Sequence, residues 1–168
     1  MSVIAARVLY DRVLIAADSI LLKEELKRTT NFTKLRQINN MIIGGCGSAE
    51  ELSLMFLFAE KDCPVDSTIK DVTEFLYRFA HYKETCVDKF ELNNCYLIVY
   101  KGHLFETDGL FVQEIQDYTA IGEGEPYALT ALHLGQDPPD AIDVACDLCC
   151  CVARPIIYFS MSKENNNA

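Results

Sequence analysis

The stretch that decides the fold is S-V-I-A-A-R-V-L-Y-D-R-V-L-I-A-A-D, which occupies residues 2–18. Its two halves, residues 2–9 and 12–17, are rich in β-branched and small apolar residues, and Tyr10 and Asp11 lie between them. Two such runs joined by two residues are typical of a β-hairpin. We therefore expect the chain to begin with two antiparallel strands.

Ser2 stands directly behind Met1, which can be removed. After that removal Ser2 would carry its hydroxyl and a free α-amine, so a nucleophile and its nearest base would belong to one residue. A hydroxyl is a weak nucleophile until a base takes its proton. An α-amine has an ordinary pKa of about 7.7 to 8.0, so part of it is neutral at physiological pH and can accept that proton. Ser2 is therefore a candidate nucleophile.

Strand-like patterns continue through the first quarter of the chain and then change to helical periodicity. A second pair of apolar runs, at residues 33–38 and 41–45, is split by two asparagines that favour a tight turn. Behind it Ser48 is followed three residues later by Glu51 and by an apolar stripe, the pattern of a capping box at the start of a helix.

The remaining pattern predicts one more helix, a group of strands, a second pair of helices and a final strand. The helix is expected to begin at residue 66 or 67, and the strands to lie across 95–121. The second pair of helices is expected at 127–134 and from 139 or 140 to about 152, and the final strand at 155–161. Two sheets packed face to face, with a helical layer outside each, fit this order because each helix pair needs a sheet face on which to bury its apolar stripe. We predict an α+β fold, a four-layer αββα sandwich, as a single domain over residues 1–162 with a disordered tail at 163–168.

Composition narrows the possible partners and compartments. A net charge of −10 argues against nucleic acid, which requires clustered Lys and Arg. No apolar run approaches the roughly 20 residues that span a bilayer. Arg7, Asp11 and Arg12 interrupt the stretch where a signal peptide would need an apolar core. We expect a soluble, cytoplasmic protein without membrane or nucleic-acid partners.

Eight cysteines are expected to be reduced thiols in such a compartment. Four of them crowd together at Cys146, Cys149, Cys150 and Cys151, but no second pair with zinc-ligand spacing occurs elsewhere. The simpler interpretation is that they act as small apolar residues on a buried helix face. We therefore expect no metal and no cofactor.

Five segments of the chain carry a family resemblance: S-V-I-A-A at 2–6, V-L-I-A-A-D at 13–18, K-L-R-Q-I at 34–38, G-C-G-S-A-E at 45–50 and I-G-E-G-E-P-Y-A at 121–128. Together they resemble the proteasome β-subunits and the HslV-type N-terminal nucleophile (Ntn) hydrolases. The similarity runs in order from residue 2 to about 152. It implies the αββα fold and hydrolysis of peptide bonds through an acyl-enzyme.

The family's spacing assigns roles to individual residues. Processed members of the family begin with a nucleophilic threonine, followed sixteen residues later by an aspartate and another sixteen later by a lysine. Ser2, Asp18 and Lys34 repeat both intervals. The resemblance therefore implies that Ser2 is the nucleophile, that Lys34 assists proton release and that Asp18 orients Lys34. The glycine-rich turn is one residue shorter than in the family, and Gly47 is assigned to the oxyanion-binding N–H.

Two further assignments follow from the resemblance. Leu21 and Leu22 match positions that line the family's substrate cleft, and they favour apolar substrate side chains. Glu123 stands where the family has a serine that assists the terminal amine. A carboxylate there raises the pKa of the amine or acts as a substitute proton acceptor.

Two functions remain open at this stage. The first is a peptidase subunit in a self-assembled homo-oligomeric ring that cleaves polypeptide under an ATP-dependent unfoldase, with Ser2 in place of the usual threonine. The second is a catalytically inactive, ring-forming scaffold or interaction protein with Met1 retained. Taken singly, Ser2, Asp18, Lys34 and Gly47 also fit ordinary strand-end, surface and turn positions; their joint spacing is what favours the family.

Overall fold

The computed structural model describes residues 2–23, 26–29 and 31–163, without the side chains of residues 22–30. The strands are β1 (Ile4–Val8), β2 (Arg12–Ala17), β3 (Leu21–Lys23), β4 (Leu26–Thr29), β5 (Leu35–Ile38), β6 (Met41–Cys46), β7 (Cys95–Tyr100), β8 (His103–Asp108), β9 (Phe111–Ile115), β10 (Tyr118–Ile121) and β11 (Ile157–Ser162). The helices are α1 (Ala49–Ala59), α2 (Ile69–Val87), α3 (Glu125–His133) and α4 (Pro138–Leu148). Met1 and residues 164–168, most of the predicted tail, lie outside the described residues.

Two antiparallel sheets organise the domain. A four-stranded sheet has the order β10-β1-β2-β11, and a five-stranded sheet has the order β5-β6-β7-β8-β9. The amino-terminal hairpin supplies the two central strands of the first sheet, with Ile4 opposite Ala17 and Val8 opposite Val13. The predicted hairpin is therefore present, and it forms the middle of a layer.

Three apolar cores separate four layers. The inter-sheet core contains Ile4, Ile15, Ile42 and Leu97. A second core, rich in aromatic residues, lies between the five-stranded sheet and helices α1 and α2. A third lies between the four-stranded sheet and helices α3 and α4. This arrangement confirms the predicted αββα sandwich.

Alternation along the hairpin explains how one strand serves two cores. In β1, Ile4 and Ala6 face the inter-sheet core, whereas Ala5 faces α3 and α4, as successive side chains of a strand must. The helix-facing core is built largely from small residues, namely Ala5, Ala16, Ala120, Ala128, Ala131, Ala141 and Ala145. Small side chains allow the helices to approach the sheet closely.

The structure corrects several predicted boundaries. The apolar run that was expected to continue to residue 121 divides into β9 and β10, which belong to different sheets. Gln116 and Asp117 are exposed between them, and Val8 N–H donates to the Asp117 carbonyl where the chain crosses. The short hairpin of β3 and β4 was not predicted, because charged residues interrupt its apolar pattern. Helix α4 ends at Leu148, not near residue 152.

The predicted capping box forms only in part. Ser48 Oγ accepts a hydrogen bond from the Glu51 N–H at 3.4 Å, as expected. The reciprocal bond is absent among the described contacts, because the Ser48 N–H donates to Asn94 Oδ1 and the Glu51 carboxylate binds Lys83, Tyr96 and the backbone of residues 93 and 94. Glu51 therefore ties α1 to the neighbouring sheet.

The interpretation of the cysteine cluster as a buried helix face holds only in part, since Cys146 and Cys149 pack against the helix-facing core while the others do not. Cys150 is exposed, and Cys146, Cys149 and Cys151 are only partly buried at and beyond the end of α4.

Within the described residues, no helix is long and apolar enough to cross a membrane.

Candidate active site

Hairpin register brings the first candidate residues together. Because β1 and β2 are antiparallel, the residue after β2 returns to the start of β1, and the Asp18 N–H donates to the Val3 carbonyl at 3.2 Å. Lys34 lies immediately before β5, the edge strand of the other sheet. The two sheets thus present Ser2, Asp18 and Lys34 at one end of the inter-sheet core.

Asp18 and Lys34 form a buried ion pair. The Lys34 Nζ atom lies 2.7 Å from Asp18 Oδ1, and the exposed fractions of the two side chains are 2% and 0%. The same carboxylate accepts hydrogen bonds from the N–H groups of Val3 (2.9 Å), Ile20 (3.1 Å) and Ala153 (3.4 Å). These donors fix the carboxylate in place, so Asp18 holds the ammonium group in one position.

Burial lowers the pKa of the Lys34 ammonium below its ordinary value of 10.5, and the attraction and hydrogen bond of Asp18 oppose that effect without cancelling it. Desolvation disfavours the charged form of a lysine, whereas a nearby carboxylate favours it. Titratable groups with a perturbed pKa in a pocket are typical of functional sites, so Lys34 is a candidate functional residue.

Ser2 is enclosed by the backbone of the second glycine-rich turn. Its carbonyl accepts a hydrogen bond from the Gly124 N–H at 3.1 Å. Gly122 has a φ of +100°, and a Cβ on it would lie 2.4 Å from the Ser2 carbonyl oxygen. Only glycine fits at Gly122, because both the backbone conformation and the space exclude a side chain.

Cys46 contacts this enclosure from the end of strand β6. It shares a side-chain hydrogen bond with Ser2, and burial raises the pKa of its thiol to about 12. The thiol contacts the Ile121 carbonyl at 3.6 Å. Cys46 is therefore protonated at neutral pH and does not compete with Ser2 as a nucleophile.

A pocket of about 70 Å³ joins four of the predicted residues. Ser2, Leu21, Lys34 and Gly47 line it, together with the start of α1. Gly47 follows β6 with a φ of +134°, a conformation that favours glycine. Asp18 lies behind Lys34, and the side chain of Leu22 is outside the described residues.

Glu123 is placed differently from the other candidates. Its side chain is exposed and lies outside the lining of this pocket. It hydrogen-bonds to the Cys151 thiol, and that bond is the main reason why the pKa of Cys151 is raised to about 12. Glu123 therefore belongs to the turn of Gly122 and Gly124, which contacts the Ser2 carbonyl, but it does not face the same pocket as Ser2.

Among the described residues, no group of three or more His, Cys, Asp and Glu side chains could hold a metal ion.

Comparison with known proteins places the fold. No protein-family model and no curated protein matches the sequence. Among solved structures, BPH of Thiobacillus denitrificans in complex with epoxomicin superposes with a TM-score of 0.85 at 20% identity, covering 96% of this chain and 99% of that one. A second structure of Thiobacillus denitrificans BPH gives 0.84 at 20% identity, with 98% and 100% covered.

The eukaryotic HslV from Trypanosoma brucei gives a TM-score of 0.73 at 22% identity, covering 95% of this chain and 99% of that one. These similarities extend over nearly the whole of each chain. The protein therefore has the proteasome β-subunit and HslV-type Ntn-hydrolase fold.

Proposed function

We propose that this chain, once Met1 is removed, is an Ntn peptidase subunit that cleaves peptide bonds with Ser2 as nucleophile. The observation that carries the proposal is the buried Asp18–Lys34 ion pair, whose lysine lines the same pocket as Ser2 and Gly47. An isolated buried ion pair contributes little net stability, because desolvation of both charges offsets their attraction. A catalytic role accounts for its position beside a candidate nucleophile.

The proposed reaction begins with proton transfer from the Ser2 hydroxyl to the Ser2 α-amine. The cationic Lys34 lowers the pKa of that amine and favours the alkoxide, while Asp18 keeps Lys34 oriented. The Ser2 oxygen then attacks the peptide carbonyl carbon, and the Gly47 N–H stabilises the developing oxyanion, a contact that contributes about 10²–10³ in rate.

Collapse of this intermediate breaks the C–N bond. The leaving amine takes the proton held by the α-amine, and an ester on Ser2 remains. Water then attacks the ester while the α-amine takes one of its protons. The bond between the acyl carbon and the Ser2 oxygen breaks, the second product leaves with a new carboxyl group, and the α-amine returns the proton to the Ser2 oxygen. Leu21 in the pocket, and Leu22 by the family resemblance, would favour an apolar substrate side chain.

Self-assembly into a homo-oligomeric ring is the second part of the proposal. The outer surface of the α3–α4 layer carries an apolar groove of about 230 Å³ lined by Tyr127, Ala131, Leu134, Val144 and Leu148. Leu134 is 75% exposed and Leu148 is 61% exposed. Contiguous exposed apolar patches are typical of interaction surfaces. A polypeptide substrate, an ATP-dependent unfoldase and a cytoplasmic location are proposed from the family resemblance.

One observation favours the alternative of a non-catalytic, ring-forming scaffold. Glu123, which occupies the position of the family's helper serine, is exposed and bonded to Cys151. A chain that also retained Met1 would lack the free amine on Ser2 and could not run the reaction.

Turnover of a fluorogenic peptide separates these functions. The Met1-processed protein should release the fluorophore, and Ser2→Ala should abolish that release because it removes the nucleophile and leaves the Asp18–Lys34 pair intact. The scaffold alternative predicts equal, background rates for the two proteins. Native mass measured on the same samples tests the ring. A monomeric mass would exclude both the ring-forming peptidase and the ring-forming scaffold.

A further inference from the structure

Asn94 lies against the turn that carries the proposed oxyanion-binding N–H. Strands β6 and β7 pair with Cys46 opposite Cys95, so the residue after β6 and the residue before β7 are neighbours at the same end of the sheet. These residues are Gly47 and Asn94. Asn94 is fully buried and was not singled out by its sequence position.

Two hydrogen bonds connect Asn94 to the residue after Gly47. Its Oδ1 atom accepts from the Ser48 N–H at 2.5 Å, and its Nδ2 group donates to the Ser48 carbonyl at 2.9 Å. One side-chain amide thus satisfies both backbone groups of Ser48. These two bonds hold the peptide units on either side of Ser48, Gly47–Ser48 through its N–H and Ser48–Ala49 through its carbonyl.

Asn94 also occupies the space beside Gly47. A Cβ on Gly47 would lie 2.2 Å from Asn94 Oδ1, so the glycine and the amide pack in direct contact. Gly47 has a φ of +134°, which glycine adopts readily and other residues rarely do. Glycine is also the residue whose backbone has the most conformational freedom. A flexible backbone that must present its N–H in one direction requires an external constraint, and Asn94 supplies it.

A buried carboxylate anchors Asn94 in turn. Glu51 Oε1 accepts from the Asn94 N–H at 3.0 Å and from the Tyr96 hydroxyl at 3.0 Å, and Glu51 Oε2 accepts from Lys83 Nζ at 2.6 Å. Burial opposes the charge on Glu51, but hydrogen bonds from Lys83 and from the Asn93 and Asn94 backbone outweigh it and lower its pKa. Glu51 is thus ionised at neutral pH, and it connects the Asn94 backbone to helix α1, which carries Glu51, and to Tyr96 of strand β7.

We infer that Asn94 is a positioning residue for the peptidase reaction: it fixes the Gly47–Ser48 turn so that the Gly47 N–H meets the developing oxyanion. This inference rests on the proposed function. Preorganised donors stabilise the transition state because they need no reorientation during the reaction. Loosening the turn should therefore lower the rate of the chemical step more than it weakens substrate binding.

The test compares three variants of the full, Met1-processed chain by steady-state hydrolysis of a fluorogenic peptide. Asn94→Ala removes both bonds to Ser48. Asn94→Asp keeps the shape and the acceptor but cannot donate to the Ser48 carbonyl when ionised, and it places a negative charge beside the oxyanion. Asn93→Ala is the matched control, since the Asn93 side chain is exposed and bonds only to the Glu91 carbonyl among the described contacts.

Both Asn94 variants should lose about tenfold to a hundredfold in kcat, with KM within about threefold of the wild-type value. Asn93→Ala should stay within about twofold in both parameters. Should Asn94→Ala fail to fold, as its thermal unfolding would show, the uncharged Asn94→Ser, whose side chain is too short to bond both backbone groups of Ser48, takes its place. An unchanged kcat in the folded Asn94 variants, or a loss confined to KM, overturns this inference while leaving the proposed function intact. A wild-type chain without turnover overturns the proposed function, and this inference with it.

Discussion

Lys34 Nζ lies 2.7 Å from Asp18 Oδ1 at the closed end of the inter-sheet core, where neither side chain is more than 2% exposed. The pair joins the two sheets, since Asp18 follows β2 and Lys34 precedes β5. Each charge depends on the other, because removing one partner leaves the other buried and uncompensated.

Substitution of Lys34 should therefore reduce stability as well as activity. We expect Lys34→Met to lower the free energy of unfolding by about 3–5 kcal/mol, because the Asp18 carboxylate then remains buried without its counter-ion. Urea titration of the variant measures this change. Lys70→Met is the control, since Lys70 is 81% exposed and should change stability by less than about 1 kcal/mol. A Lys34 effect no larger than that of Lys70 would contradict the burial of the pair.

The lowered pKa of Lys34 makes a signed prediction about pH. In the unfolded chain Lys34 has its ordinary pKa of 10.5, so between the lower folded-state pKa and pH 10.5 the unfolded state binds more protons at this site than the folded state does. Stability rises with pH wherever the unfolded state binds more protons. The destabilisation from the buried cation is fully present below the folded-state pKa and is relieved as the pH approaches 10.5.

The reference for this measurement is the double variant Asp18→Asn/Lys34→Met, which lacks both charges. The unfolding free energy of the wild type minus that of the double variant should increase as the pH rises toward 10.5, since the titration of all other groups largely cancels in the difference. A difference that instead decreases as the pH rises through 10.5 would mean that Asp18 raises the pKa of Lys34 above its ordinary value.

We propose that Glu123, although exposed and outside the lining of the Ser2 pocket, still acts on the Ser2 α-amine at a distance through its charge. A carboxylate raises the pKa of a nearby amine. Because the amine must be unprotonated to act as the general base, Glu123 would move the acid limb of the pH–rate profile to higher pH. We expect Glu123→Ser to shift that limb to lower pH by a few tenths of a unit, because an exposed charge is screened. The profile of kcat/KM measures the shift; Glu50→Ser, another exposed glutamate, should leave the limb in place.

The apolar groove between α3 and α4 is expected to be covered in the assembled protein. Leu134→Asp places a charge on a side chain that is 75% exposed in the single chain, so folding should be unaffected while assembly is lost. Native mass spectrometry should show smaller particles for this variant. Tyr10→Asp, at a side chain that is 99% exposed on the β1–β2 turn, should leave the mass unchanged. An unchanged mass for Leu134→Asp would exclude this groove as an assembly surface.

The layer architecture could be predicted because alternation and helical periodicity are local signals. The sequence pattern alone predicts the hairpin of residues 2–18 and the paired helices. The spacing from Ser2 to Lys34 is also a property of the sequence. The division of the strands at 95–121 between two sheets could not be predicted. The exposed Gln116 and Asp117, where the chain crosses between the sheets, resemble an ordinary interruption within a strand.

Contacts between distant segments were the least predictable part of the site. Asn94 follows another asparagine and precedes an apolar run, which is also the pattern of a simple turn before a strand. Its contact with Gly47 depends on the register of β6 and β7, and register is set by packing across the sheet. Glu51 was expected to cap its own helix, yet it binds partners more than thirty residues away.

Reaction with a peptide epoxyketone, followed by intact mass, tests the central claim that Ser2 is a working N-terminal nucleophile. The account predicts a protein that lacks Met1 and gains the mass of one probe per chain, an adduct that persists in Cys46→Ala and disappears in Ser2→Ala. Retention of Met1 on the native protein with no adduct, or an adduct that survives in Ser2→Ala, would contradict it.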